Sequence, residues 1–131
     1  VVRNACEASA DVPDGARRVE VSVQERRGRT PEGGSRPELA FCVADSGPGF
    51  PAEVRDRVFN PFFTTRETGT GLGLAIVHRI LDAHDGSVVI ASNEGGGALV
   101  ELRVPLCVSG EGPGDESPKQ TVRSLVMTSE A

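Results

Sequence analysis

The sequence predicts an α+β fold: a two-layer α/β sandwich with helices on one face of a mixed, mostly antiparallel sheet. Three observations carry this. The elements read in the order helix, strand, strand, short helix, glycine loop, helix, strand, strand. Val19, Val21 and Val23 alternate with polar residues at the period of a half-buried strand. Between Leu72 and His84 the apolar spacing turns helical. Helices of that kind bury their apolar stripe against a sheet, which gives two layers around one core.

Residues 1–9 contain no breaker and suit the last turns of a helix, with Val2, Ala5 and Cys6 on one apolar face. Pro13 and Gly15 end it. The valine alternation from 19 to 23 is the first strand, and the polar, Gly-rich stretch from Arg26 to Pro37 reads as a long hairpin connection. Glu38 to Ala44 is a second strand, apolar on both sides toward its end as a central strand is. After the loop Asp45-Ser-Gly-Pro-Gly49, Pro51 opens a short helix through Val58. Asn60 to Thr70 is irregular. A helix over 72–84 places Leu72, Ile76, Leu81 and Ala83, interleaved with Val77 and Ile80, toward the sheet, and Gly86 stops it. Ser87–Ser92 and Ala98–Leu106 form a hairpin around the glycine turn at 93–97.

Residues 1–106 thus make one domain. Residues 107–131 are rich in Gly, Pro, Ser and charge and read as a linker or disordered tail, in which Val122 to Met127 is a lone strand without a local partner. The opening at Val1, in mid-helix, leads to the expectation that residues precede it in the whole protein.

Composition narrows the function classes. Fourteen Lys and Arg against 19 Asp and Glu leave a net charge of −5 in 131 residues, and a duplex-DNA binder needs a cationic face. Five Phe with no Trp or Tyr argue against base stacking on single strands. No apolar run approaches the ~20 residues of a membrane span. Cys6, Cys42 and Cys107 are odd in number and widely separated, which suits small buried hydrophobes in a reducing cytosol better than a disulfide or zinc framework.

Function has to come from four features at loops and helix ends. Asn4 on the opening helix is a solvated polar residue or a ligand. Asp45-x-Gly47-x-Gly49 follows a buried strand; it is an ordinary turn, or an acceptor for an exocyclic amine with glycines that let backbone pass close to a flat ligand. Gly69-Thr70-Gly71-Leu72-Gly73-Leu74 opens a helix, where uncrowded N–H groups suit an anion. It lacks the Gly-Lys-Ser/Thr ending of a Walker A loop. Between the glycine boxes, Phe59-Asn-Pro-Phe-Phe63-Thr-Thr65-Arg66 is either a loop anchored in the core, through Phe59 and Phe62, or a lid closed by Phe63.

In order and spacing the four resemble the ATP-binding catalytic domain of sensor histidine kinases, within the wider gyrase, mismatch-repair and heat-shock-chaperone ATPase superfamily. Asn4-Ala5 is similar to the end of the N box, Asp45–Gly49 to the G1 box, Pro61–Arg66 to the F box and Gly69–Leu74 to the G2 box; Gly95–Gly97 is similar to the last glycine turn. The short lid is similar to that of nitrogen-regulation-type kinases. The resemblance implies a Bergerat-type fold and a set of roles. Asp45 would hold the adenine amino group on a wall shaped by Gly47 and Gly49, and Asn4 would offer an oxygen to Mg²⁺. Gly69, Thr70, Gly71, Leu72 and Gly73 would follow the triphosphate, with Phe63 and Thr65 in the lid. Arg66, where the family often has Lys, would reach the γ-phosphate of ATP.

It further implies transfer of that phosphate to a histidine on a separate dimerisation domain, a response regulator downstream, and a homodimer as full-length protein. Neither nucleic acid nor membrane is expected to touch this segment. The implied location is cytoplasmic, with an anchor elsewhere in the full-length protein left open. Ala98 stands where the family often has Thr, and no segment resembles the phosphoacceptor helix; His78 and His84 read as surface or capping residues. Two alternatives stay open: a degenerate nucleotide-binding or scaffold module, against which the intact glycine boxes count, and a hydrolysing ATPase, against which the short lid counts.

Overall fold

The computed structural model describes residues 1–67, 69–93 and 95–106, together with the backbone of strand 123–127. Its elements are α1 (Val2–Ala8), β1 (Val19–Arg29), β2 (Ser35–Asp45), α2 (Ala52–Arg55), α3 (Gly73–Asp82), β3 (Ser87–Ser92), β4 (Ala98–Pro105) and β5 (Arg123–Met127). The strands form one sheet in the order β3-β4-β2-β1-β5, with β2 in the centre. Every ladder among them is antiparallel, so the expected mixed component is absent from the described sheet.

The valine alternation does start β1, but the strand runs to Arg29 and β2 begins at Ser35. The expected long connection is therefore mostly paired strand. Eleven cross-strand pairs from Val19↔Asp45 to Arg29↔Ser35 hold it. Polar residues suffice there because the ladder bonds are backbone bonds. Only 30–34 turn, closed by Gly33 N–H donating to Thr30 O at 3.0 Å and Gly34 N–H to Thr30 Oγ1 at 3.1 Å. Arg123–Met127, read from sequence as tail or lone strand, pairs with β1 from Val23↔Arg123 to Val19↔Met127, a partner some 100 residues away that no local pattern reveals. The remaining residues of the expected tail, Cys107 among them, lie outside the described residues.

The two faces of the sheet differ. Asp45, Val43, Val100 and Ala98 share the side on which α1 lies over β1 and β2 and α3 over β3 and β4. Val43 and Val100 are directly paired and nearly inaccessible, and Ala75 and Leu81 of α3 are buried. On the opposite side, Ala40 is fully buried although no described helix covers it. There Glu101 accepts from Arg103 Nε at 2.7 Å and faces Arg26 Nη1 at 3.4 Å, while Arg36 pairs with Glu38. Among the described residues this face carries arginines beside small residues, Arg103 being the cross-strand neighbour of Ala40.

Helix phases depart from expectation in two places. In α1 the buried positions are Ala5 and Ser9, four apart, while Val2 and Cys6 point outward. In α3, Leu81 is buried as expected, but Ile76 and Ile80 are about half exposed and Ala75, not in the expected set, is buried. Two helices are shorter than expected, α2 ending at Arg55 and α3 spanning 73–82. Gly86 does serve the end of α3, but the left-handed residue is Asp85 at φ 53°. Gly86 is needed for contact, since a Cβ would run into the Arg103 carbonyl of β4.

Candidate functional site

An open cleft of about 1430 Å³ lies between α1, the loop after β2, the segment 63–71 and the start of α3. Its floor is sheet, with Ala98 and Val100 of β4. Asp45, at the end of the central strand, is 6% exposed. Its Oδ1 accepts from Gly47 N–H at 2.9 Å and from Ala98 N–H at 3.0 Å. Two backbone donors on one oxygen fix the carboxylate's rotamer and leave Oδ2 for a ligand. Ala98 therefore supports the aspartate through its backbone, a contact that its side-chain identity does not disclose.

Glycine is required where the β3–β4 turn meets this residue. Gly97 has φ 92°, and a Cβ there would collide with the Asp45 carbonyl. Asn93 Nδ2 donates to the same carbonyl at 3.3 Å, so the turn is strapped to the end of β2. On the other side a Cβ on Gly47 would stand 2.6 Å from the Ala8 carbonyl of α1, which brings helix and loop together as one wall.

The lid has a neck. Phe62 N–H donates to Gly71 O at 2.9 Å. A Cβ on Gly71, whose φ is 66°, would strike the Phe62 backbone. Phe62 itself takes the left-handed φ of 65° and is 76% exposed, so it is not the core anchor that its aromatic ring suggests. Phe59 is half-buried with its ring 5.4 Å from the His78 imidazole, and the core residue at the start of the lid is its neighbour Val58. Phe63 lines the cleft beneath the Arg57 guanidinium, 4.7 Å from its centroid, a cation–π contact that sequence reading missed. No spacing rule links those two positions.

Arg66 reaches across the cleft mouth to α1. Its Nη1 lies 2.6 Å from Glu7 Oε2, and its Nη2 donates to Asn4 O at 3.0 Å. The other Glu7 oxygen accepts from Arg3 Nε at 2.8 Å. Two guanidinium groups, Arg3 first, hold the Glu7 carboxyl below the usual carboxylate range. The Asn4 carboxamide faces the first turn of α3, with Nδ2 3.7 Å from where a Gly73 Cβ would stand.

Thus Asn4, Asp45, Gly47, Gly49, Phe63, Thr65, Arg66, Gly69, Thr70, Gly71 and Gly73 all line one cleft, and Leu72 does not. Leu72 is the N-cap of α3. Among the described residues no group of three or more His, Cys, Asp or Glu could hold a metal unaided. His78 and His84 lie outside the cleft: His78 faces Asp82 one turn on, and His84 bonds the Ile80 carbonyl at the helix end.

A family profile described as histidine kinase-, DNA gyrase B-, and HSP90-like ATPase matches residues 1–108. The chain is 45% identical over 75 residues to the sensor histidine kinase ZraS of Escherichia coli (strain K12), covering 57% of this chain and 16% of that protein. It is 41% identical over 93 residues to the sensory histidine kinase/phosphatase NtrB of Rhizobium leguminosarum bv. phaseoli, covering 67% of this chain and 24% of that protein. The chain thus spans less than a quarter of the length of these relatives. Among solved structures, the catalytic domain of histidine kinase ThkA superposes with TM-score 0.57 at 30% identity, over 79% of this chain and 60% of that one. The mycobacterial sensor histidine kinase MprB superposes with TM-score 0.54 at 27% identity, over 78% and 62%.

Proposed function

We propose that this chain, which belongs to the family of histidine kinase-, DNA gyrase B- and HSP90-like ATPases, binds Mg-ATP in the cleft and presents the γ-phosphate to a histidine on a separate dimerisation domain. Residues 1–106 are the working unit in this reading. The observation that carries it is the buried Asp45 lining the cleft, with Oδ1 accepting from Gly47 and Ala98 and no described hydrogen bond on Oδ2. That arrangement suits the exocyclic amine of adenine, with Gly47 and Gly49 forming a wall that a flat ring can approach.

The donor set fits a magnesium ion shared with phosphates. Asn4 supplies one neutral oxygen, no acidic cluster among the described residues competes for the metal, and Mg²⁺ is ordinarily held by few protein ligands plus phosphate and water. When bound, the ion neutralises charge on the phosphates. The chain's own residues do the rest. Backbone N–H groups of Thr70, Gly71 and Gly73, at the start of α3, are offered to the phosphates, while those of Gly69 and Leu72 donate to Arg66 O and Thr70 Oγ1. Arg66 offers a planar fork to the terminal phosphate. Phosphoryl transfer needs mainly positioning and charge stabilisation, and these groups are arranged for both. The relatives' names support a kinase acting in a two-component system, with a response regulator receiving the phosphate afterward.

Titration with a fluorescent ATP analogue tests the reading. Asp45→Asn should lower affinity at least tenfold, because a charge-assisted hydrogen bond contributes about 1.5–3 kcal/mol. A folded variant with unchanged affinity would remove Asp45 from the adenine site.

A further inference from the structure

The contact between Glu7 and Arg66 joins residues 59 apart across the mouth of the cleft. We infer that Glu7 is a positioning residue: it holds the Arg66 guanidinium beside Asn4, so that the lid's cation is in place before a triphosphate arrives. This rests on the nucleotide reading above and adds to it a residue for which that reading has no role.

Three features support it. First, Glu7 divides its oxygens, Oε1 to Arg3 and Oε2 to Arg66, so its carboxylate is tied from both sides. Second, Arg66 is oriented by two different acceptors, Glu7 Oε2 through Nη1 and the Asn4 carbonyl through Nη2, which fixes the plane of the guanidinium as well as its position. Third, the fork is not used up. Among the described residues two of its five N–H donors are engaged, and three remain to meet an anionic oxygen. A guanidinium can thus serve carboxylate and phosphate together, whereas the point charge of a lysine ammonium fixes no such plane. The group it would meet is the terminal phosphate of a nucleoside triphosphate, since Asn4, the residue suited to the metal, shares the same guanidinium.

The pair is exposed, with side chains 39% and 45% accessible, so its effect on affinity is modest. A double-mutant cycle on the whole chain reads it: wild type, Glu7→Gln, Arg66→Ala and the double variant, each titrated with a non-hydrolysable ATP analogue and with ADP. Glu7→Gln should weaken the ATP analogue about two- to fivefold while sparing ADP, which has no group to meet Arg66. In the Arg66→Ala background the same change should produce no weakening. Tighter ATP binding in Glu7→Gln would mean that the carboxylate competes with phosphate, and it overturns the proposal. Equal weakening for ADP, or weakening that persists without Arg66, overturns it too. Where wild type binds and Asp45→Asn does not, an unaltered Glu7→Gln variant rejects the positioning role alone. Failure of wild type to bind either nucleotide rejects the nucleotide reading and this role with it.

Discussion

Asp45 and Cys42 lie three residues apart on β2 and point to opposite faces of the sheet, with opposite consequences. Asp45 opens on the cleft, where two backbone donors offset the cost of burying its carboxylate. Cys42 lies on the helix-free face, paired with Glu101 on β4 and Ser22 on β1. Burial, followed by the Glu101 charge, pushes its thiol pKa up. A raised pKa lowers the thiolate fraction at neutral pH, and the thiolate is the reactive form. Cys6 is exposed, contrary to the expectation of a buried hydrophobe. In the folded protein iodoacetamide should therefore modify Cys6 and spare Cys42 until denaturant is added, as read by peptide mass mapping. Equal rates would contradict the burial of Cys42. At Glu7 the sign is reversed. Its folded-state pKa is lowered, so the ion pairs with Arg3 and Arg66 persist through the ordinary carboxylate range and are lost as pH falls through the lowered value.

Among the elements, the lid gains most from the tertiary view. Its neck is the Phe62–Gly71 hydrogen bond, and its middle is tied down by Arg57 over Phe63 and by Glu7 with Arg66. Among the described residues the ties from the lid to the rest of the domain are this backbone bond, a cation–π contact and the exposed Arg66 contacts to Glu7 and Asn4 O, far less than the ladders of β2. Such a segment belongs to the low-stability end of a domain. Amides of residues 63–67 should exchange faster than those of β2 and β4 in the free protein. An ATP analogue should slow them more than ADP does, because only the triphosphate reaches Arg66. Equal protection by the two nucleotides would leave Arg66 without a γ-phosphate partner. The neighbouring α3 shows why its stripe was misplaced from sequence. Of the expected inward set Leu81 is buried and Leu72 and Val77 are half-buried, but Ile76 and Ile80 are exposed, and packing against β3 and β4 buries Ala75 in their place.

For the whole molecule, the sheet is a platform with α1, α3 and the cleft on one side and, among the described residues, arginine–glutamate pairs on the other. The cleft sits where the end of the central strand, the turn after β3 and the two helices converge. Neither described histidine lines it. With γ-labelled ATP, the chain alone should gain no acid-labile label on His78 or His84. A dimerisation domain from a matching kinase, added as a separate polypeptide, should become labelled on histidine. The reaction should be slow, because the effective concentration supplied by covalent linkage is lost. Label on His84 would show that the acceptor lies within this chain.

The sequence by itself determined the class of fold, the order of its first seven elements and the glycine, asparagine, aspartate and lid positions that line the cleft. It could do so because those features are local: alternation marks a strand, spacing marks a helix, and glycines and an aspartate mark loops where backbone must pass close to a ligand. It did not determine the phase of α1 and α3, the length of the β1–β2 hairpin or the partner of β5. Each of these depends on what lies across the interface. The same holds for the site's finest details. Ala98 donating to Asp45, Gly97 against its carbonyl, Arg57 over Phe63 and Glu7 with Arg66 join residues 53, 52, 6 and 59 positions apart. Only the sheet register and the docking of α1 bring them into contact, because hydrogen bonds and ion pairs act over a few ångströms and chain separation carries no record of that distance.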